Sequence, residues 1–391
     1  MPIVAMKDML QHAYDNSYAV SAFELLSLDV LEGIVAAAER CHSPVILTLS
    51  DAPSSHYDFE LLMPAVEAAA RRSSQPMAIH LCRSISINSV IRAINSGCNS
   101  VMLDNRLETL QNNILRTSEV VRISHACGVP VEGALDIALG VEAAQNYVQQ
   151  TGVDFLAVSS NTIYGRRKDD PRLNHHYLSQ VNKSLRIPFV IHGGAGLSKE
   201  QYQQFIAHGV AKINYGSSLY DTTYSQIRNN AESHHTDYSK LMEGVREVTS
   251  SEVEACLRLG KSINRGKALL EYCTPWTPVE HLIIYNVHGI SDHEVDTMMT
   301  EGQQTLSTIP GVREIIAGRA IKEDTKFRYT WLIRFCHPAV IDSYREHPLH
   351  VAFANQLFRP IAGDRISIDY LWHEQKKLNR PVFEIHSQGR L

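Results

Sequence analysis

The sequence predicts an α/β protein, a (β/α)8 TIM barrel followed by a small α+β domain. Three observations carry that expectation. Eight short runs rich in Val and Ile recur about every 30 residues up to about residue 220, the texture of strands buried on both faces of a parallel sheet. Longer segments with helical periodicity separate them. Beyond "CTPWTPVE" the spacing of strand-like and helix-like segments changes. An open doubly wound sheet is the structural alternative for the first part.

In order, the runs are "YAVSAF" from Tyr18, "PVILTLS" from Pro44, "PMAIH" from Pro76, "SVMLD" from Ser100, "VPVEG" from Val129, "DFLAVSS" from Asp154, "IPFVIHGG" from Ile187 and "VAKINYG" from Val210. Between the last two, "LSKEQYQQFIAHG" offers Ser198 and Gln201 as a capping box and Gly209 as a stop. From Asp221 to about Tyr272 the chain reads as helical. Pro275 and Pro278 disfavour helix, so residues 273–279 are expected to link a barrel domain, 1–272, to a second domain, 280–391. In the second domain "HLIIYNV", "GVREIIAGR", "YTWLIRF" and "RISIDYL" alternate with a helix opened by a Ser291–Glu294 capping box and another from about Pro338.

With 391 residues, 44% of them hydrophobic and 20% charged, the composition is globular. The net charge of −5 and the scattered basic residues give no reason to expect nucleic acid or a membrane surface as partner. The opening segment lacks the build of a signal peptide, and no apolar run approaches the ~20 residues of a membrane span, so a cytoplasmic protein is expected. Seven cysteines without a C-x-x-C pair argue against a disulfide scaffold and a thiolate zinc cluster.

In such a barrel the chemistry belongs at the carboxyl ends of the strands. Those positions hold Glu24, Ser50 and Asp51, then His80, Cys82 and Arg83, then Asp104, Glu132, Tyr164, His192 and Asn214. Two glycine-rich stretches follow the last two strands. "HGGAG" contributes Gly193 and Gly194, and "INYGSS" contributes Asn214, Gly216, Ser217 and Ser218, so backbone N–H groups there suit a phosphate. The alternative is that these glycines only make tight turns. "YGRRK" adds Gly165, Arg166 and Lys168 as a clamp for a second anionic group, or as a solvated basic loop.

Over residues 1 to about 272 the chain resembles the class II, metal-dependent ketose-bisphosphate aldolases, through "YAVSAF", "SVMLDNR", "GVPVEGALD", "TGVDFLAVSSNTIYG", "IPFVIHGGAGLS", "GVAKINYGSSLY" and "GKSINRGKAL". The resemblance implies an H-x-D-H-G motif after the third strand, with a catalytic Asp and a zinc His, and two further zinc imidazoles after the sixth and seventh strands. Here Cys82 stands at the Asp, Arg83 at the first zinc His and Tyr164 at the second. Only His192 remains of the three. The carboxylate pattern after the fifth strand keeps Glu132 and replaces its second acid with Ala134, and the phosphate motif keeps Asn214 and has Gly216 in place of Asp.

The resemblance therefore implies a phosphorylated sugar or keto ligand and carbon–carbon lyase, aldol or isomerase chemistry, without the usual zinc triad. Cys82, Asp104, Glu132, Tyr164 and His192 are the candidate catalytic groups. No cofactor is expected. The alternative is a divalent metal such as zinc in a rebuilt site of His80, Cys82, Asp104, Glu132 and His192, all metal-competent types. Cys82 has two readings, a nucleophile activated by Arg83 and a small buried residue filling the space of an Asp. Lys212 is expected to be structural. A catalytically inactive sugar-phosphate-binding or assembly protein is the alternative function.

The second domain resembles the dimeric α/β-barrel (Dabb, stress-responsive) family, of ferredoxin-like α+β build, through "EHLIIYNV", "IPGVREIIAGR", "YTWLIRF", "SYREHPLHVAF" and "ISIDYL". That resemblance implies a homodimer, or a higher even-numbered homo-oligomer, and a cleft lined by His281, Tyr344 and His350. In some members such a His–Tyr pair moves protons without metal. A dimerisation module alone is the other reading.

Overall fold

The computed structural model of the chain describes residues 2–50, 57–105, 108–136, 139–159, 175–233 and 237–371. Eight parallel strands close a barrel in sequence order: β1 Val20–Glu24, β2 Val45–Ser50, β3 Met77–Ser84, β4 Ser100–Leu103, β5 Val131–Asp136, β6 Phe155–Ser159, β7 Phe189–His192 and β8 Val210–Tyr215. The ring closes through β8 on β1, with Asn214 opposite Ala22. Helices follow the strands and bury the outer wall. The capping box at Ser198 forms with both hydrogen bonds in place, opening the helix Lys199–Ala207.

Period-two alternation sorts each strand into an outer and an inner face. The inner face carries small or apolar side chains at the amino end, among them Val20, Ala22, Ile46, Ala78, Met102, Phe155 and Val190. The helix Met6–Asp15 closes that end, packing Met6, Met9 and Leu10 into the same cluster, all fully buried. Polar inner residues lie one step further along. Glu132, His192 and Lys212 stand on the inner wall towards the carboxyl ends, so the apolar plug below and the polar mouth above are one alternating pattern.

The second domain is a four-stranded antiparallel sheet: β9 Val279–Val287, β10 Val312–Arg319, β11 Tyr329–Phe335 and β12 Ala362–Leu371, in the order β10-β11-β9-β12. The helices Asp292–Leu306, Val340–Glu346 and Pro348–Phe353 supply its remaining layer, and the Ser291–Glu294 capping box forms as read. Tyr285, Tyr329, Trp331, Ile333 and Phe335 are buried on one sheet face. The opposite face carries a row in cross-strand register, Ile368, Leu282, Leu332 and Ile316, one residue from each strand. Ile316 and Ile368 are 43% and 42% exposed.

The two domains are joined by specific polar contacts. Arg313 on β10 reaches Glu67 on the helix Phe59–Arg72 with Nη1–Oε1 and Nη2–Oε2 distances of 2.8 and 2.5 Å. Asn95 accepts from the Gly311 N–H at 2.7 Å and donates to the Ser307 and Ile309 carbonyls. Trp276 stacks on His337 with ring centroids 4.4 Å apart. All seven cysteines are buried free thiols. Among the described residues no helix is long and apolar enough to cross a membrane.

The Glu67–Arg313 pair has a pH signature. Burial pushes the Glu67 carboxyl up, but the hydrogen bond and charge of Arg313 outweigh it and bring it down to about 2 from 4.5. A depressed carboxyl contributes stability that is present above the unfolded value and is lost as pH falls through the folded one. Glu67→Gln is expected to lower unfolding stability by about 3 kcal/mol at pH 7, as for a buried pair broken on one side. Urea titrations at pH 7 and at pH 3 check this: the gap between wild type and variant should narrow at the lower pH, and an equal gap at both would show that the pair does not hold the interface.

Candidate active site

The carboxyl end of the barrel is organised around one carboxylate. Glu132, on the inner wall of β5, is fully buried. Its Oε2 accepts from Lys212 Nζ on β8 at 2.6 Å, and its Oε1 lies 2.7 Å from His192 Nε2 at the end of β7. His80 Nε2 on β3 stands 3.5 Å from Oε2, while His80 Nδ1 bonds Ser100 Oγ at 3.0 Å. Burial alone would push the Glu132 carboxyl up. The Lys212 ammonium, aided by the His192 hydrogen bond, reverses this and holds it well below the usual carboxylate range. Burial, reinforced by Lys212, drives His80 far below its ordinary value, so His80 is neutral. With Glu132 ionised, His192 Nε2–H is the donor to Oε1.

Cys82 lies on the same inner wall, 3% exposed, and its Sγ meets Asn214 Nδ2 at 3.6 Å. Burial pushes its thiol up to about 12 despite the Lys212 and Arg83 charges. A buried thiol raised in this way and accepting from Asn214 supports the reading of Cys82 as a small buried residue rather than an activated nucleophile. Asp104, half-buried just past β4, bonds the Ser84 carbonyl through its backbone N–H.

Arg83 departs from the alternation of its strand. An odd position on β3 faces outward, yet Arg83 has φ +54° at a point where the β3–β4 register shifts between Leu81 and Ser84. Its Nη2 donates to both oxygens of Glu24, at the end of β1, at 3.1 Å each. A left-handed conformation at a residue with a β-carbon is unfavourable by about 1 kcal/mol and persists where the surroundings fix it. Glu24 is such a constraint. Sequence reading placed Glu24 at a strand end and missed its partner, because only the curvature of the barrel mouth brings β1 and β3 together there.

The glycine-rich stretches divide their work differently from the expectation. Gly193 has φ +85° with open space around its Cα, which suits a ligand-facing turn. Gly194 does not present its N–H to the mouth: it donates to the Asn214 carbonyl at 2.9 Å, and a β-carbon there would stand 2.3 Å from Ile213 Cγ2. The β7–β8 pairing has claimed that donor. Gly216 precedes the helix Ser217–Glu232 without a side-chain cap, leaving the backbone N–H groups of Ser217 and Ser218 at a helix start. The Ser218 hydroxyl is committed to Glu252 Oε1. Asn214 Oδ1 is buried with no hydrogen-bond partner. Tyr164, Gly165, Arg166 and Lys168 lie outside the described residues.

In the second domain His281, Tyr344 and His350 do come together, around a cavity of about 250 Å³. The Tyr344 and His350 rings are 4.5 Å apart, Tyr344 also packs at a tilt against Phe335, and His350 Nδ1 donates to the Arg345 carbonyl. Burial lowers His350 and raises the Tyr344 hydroxyl. Asp369, not anticipated, accepts from His281 Nδ1 at 2.6 Å. Its signal was available in the antiparallel register, which sets Asp369 on β12 opposite His281 on β9.

Residues 4–265 match the family model described as fructose-bisphosphate aldolase class II. The chain belongs to that family. Residues 279–371 match the stress-responsive A/B barrel domain, so the aldolase-family barrel carries a Dabb domain behind it. A Bacillus subtilis (strain 168) protein named "Probable fructose-bisphosphate aldolase" is 31% identical over 284 residues, spanning 68% of this chain and 100% of its own. Among solved structures, the YdjI aldolase of Escherichia coli K12 is 26% identical with a TM-score of 0.62, covering 68% of this chain and 99% of that one. A fructose-bisphosphate aldolase of Campylobacter jejuni, 17% identical, shares the fold at a TM-score of 0.59 over 67% of this chain and 96% of its own.

Class II aldolases imply a metal, and the described residues do not fit one. A catalytic zinc centre takes about three protein ligands and an open position. Here His192 Nε2 and both Glu132 oxygens are engaged within the protein, Lys212 places an ammonium inside the cluster, and Arg83 brings a second cation. Among the described residues no group of three or more His, Cys, Asp or Glu is placed to hold a metal ion. Among the described residues the rebuilt set of His80, Cys82, Asp104, Glu132 and His192 is thus not assembled as a metal-holding group.

Proposed function

We propose that the barrel binds a phosphorylated ketose or keto compound at its carboxyl end and makes, breaks or isomerises at a carbon–carbon bond without a zinc triad. Asn214 carries this reading: a buried Oδ1 without a partner is rare in a folded protein, and it sits three residues before the uncapped helix that starts at Ser217. Phosphate is assigned to the N–H groups after Gly216 and around Gly193, and a ligand hydroxyl to Asn214 Oδ1. His192, oriented by Glu132 through Nε2, is the proton carrier. Cys82 remains a neutral neighbour of the ligand, and Asp104 a flanking acid. Membership of the family and the names of its relatives support the substrate class.

Calorimetry with dihydroxyacetone phosphate, followed by a cleavage assay on phosphorylated ketoses, tests this. Asn214→Ala is expected to weaken binding roughly tenfold, the scale of one hydrogen bond to a charged or polar ligand group. Unchanged affinity in that variant would move the site elsewhere. Tight binding with no turnover of any ketose phosphate would favour the binding or assembly role over the enzyme.

The Dabb domain is proposed to pair two copies of the chain. Its sheet leaves the row Ile368, Leu282, Leu332 and Ile316 open, and a sheet with an apolar uncovered face gains by burying it against another. A second copy offers the same row, which gives a two-fold symmetric contact. Light scattering at micromolar concentration should give twice the chain mass or a higher even multiple, and Ile368→Asp should halve it. A wild-type monomer would contradict the assignment.

A further inference from the structure

The mouth of the barrel holds two cations in different settings. Lys212 is fully buried and bound to Glu132, whereas Arg83 and Glu24 keep side-chain exposures of 28% and 22% and so border the solvent-facing mouth. The chain goes to some length to put Arg83 there. Its positive φ turns an outward position inward, Glu24 grips its Nη2 with both oxygens, and Tyr220 hydrogen-bonds the same carboxylate. Gly216 completes the fit, since a β-carbon on it would stand 3.2 Å from Glu24 Oε2. Through Glu24, the guanidinium is thereby fixed beside the residue that opens the helix Ser217–Glu232. Its sequence neighbour Cys82 touches Asn214.

A surface ion pair has no need of a strained backbone, a cleared glycine and a supporting tyrosine. Preorganised charge at the place where an oxyanion develops does need such support, because its value depends on not having to reorganise. A guanidinium has five N–H donors, so it can serve Glu24 and a ligand oxygen together, and it stays protonated at any working pH.

We propose that Arg83 binds the ketone oxygen of the phosphorylated ligand and stabilises the negative charge that forms on it, the task a metal performs elsewhere in the family. This rests on the reading of the barrel as a keto-phosphate site. In the cleavage direction the aldol hydroxyl gives its proton to the His192–Glu132 pair and the carbon–carbon bond breaks. The electron pair of that bond settles on the ketone carbon–oxygen unit as an enediolate, and an aldehyde leaves. Arg83 donates hydrogen bonds to the enediolate oxygen throughout and transfers no proton, and the step is redox-neutral.

The test uses the full-length protein in buffer containing EDTA and two probes. Glycerol 3-phosphate carries the phosphate alone, and phosphoglycolohydroxamate carries it with a planar mimic of the enediolate. Wild type is expected to prefer the hydroxamate by roughly tenfold or more, the scale of a charge-assisted hydrogen bond. Arg83→Gln should abolish that preference while glycerol 3-phosphate affinity stays within about twofold, and Arg83→Lys should restore part of it. The double variant Glu24→Gln, Arg83→Gln removes both charges, so it leaves no lone carboxylate to unfold the mouth, and should show the same loss. A preference retained in both Gln variants, or one that EDTA removes from wild type, overturns the proposal. So does an equal loss for both probes, which would make Arg83 a scaffold of the mouth. Failure of wild type to bind either probe would instead sink the keto-phosphate reading itself.

Discussion

The buried contact between Lys212 and Glu132 is the constraint on which the rest of the barrel mouth depends. An ammonium or a carboxylate taken out of water alone carries a penalty of several kcal/mol, and the two coexist at zero exposure only because they meet at 2.6 Å. Once Glu132 is fixed as an anion, the state of its neighbours follows. His192 must donate through Nε2, and His80, beside an ammonium and without solvent, is kept neutral. Breaking the pair by changing one partner would leave an uncompensated charge at the barrel axis. Below the pair the helix Met6–Asp15 fills the end of the barrel largely with methionine and leucine.

Viewed as charges, the mouth is two neutralised pairs at different depths. Glu132 and Lys212 form the inner pair, Glu24 and Arg83 the outer one. The inner pair fixes the proton on His192 Nε2, whereas the outer pair borders the solvent-facing mouth. A dication placed among these residues would be repelled by both cations and would have to displace Lys212 or His192 from Glu132. Of the two imidazole positions at which the chain departs from the family's pattern, Arg83 puts a cation in place of one, paired with Glu24.

Much of the architecture was legible in the sequence because it is written in local patterns. Eight buried strands announce themselves by continuous Val- and Ile-rich runs, and the Ser198 and Ser291 capping boxes by residues three apart. What was not legible is set by three-dimensional pairing. Gly194 looked like an anion donor until the β7–β8 register assigned its N–H to Asn214. Arg83 and Glu24 are 59 positions apart, and their contact requires both the closure of the barrel and a positive φ that no pattern encodes. The helix Met6–Asp15 carries no side-chain cap, so its role as the plug of the barrel left no start signal to read. Asp369 needed the β9–β12 register to be recognised as the partner of His281.

The deciding property of the mouth is whether internal cations fill the place of a metal. Crystals grown in excess zinc and measured on both sides of the zinc absorption edge give the most direct answer. The expected result is no anomalous peak within bonding distance of His192 or Glu132, with the Lys212–Glu132 contact intact. A strong peak ligated by His192 and Glu132, with Lys212 displaced, would contradict it.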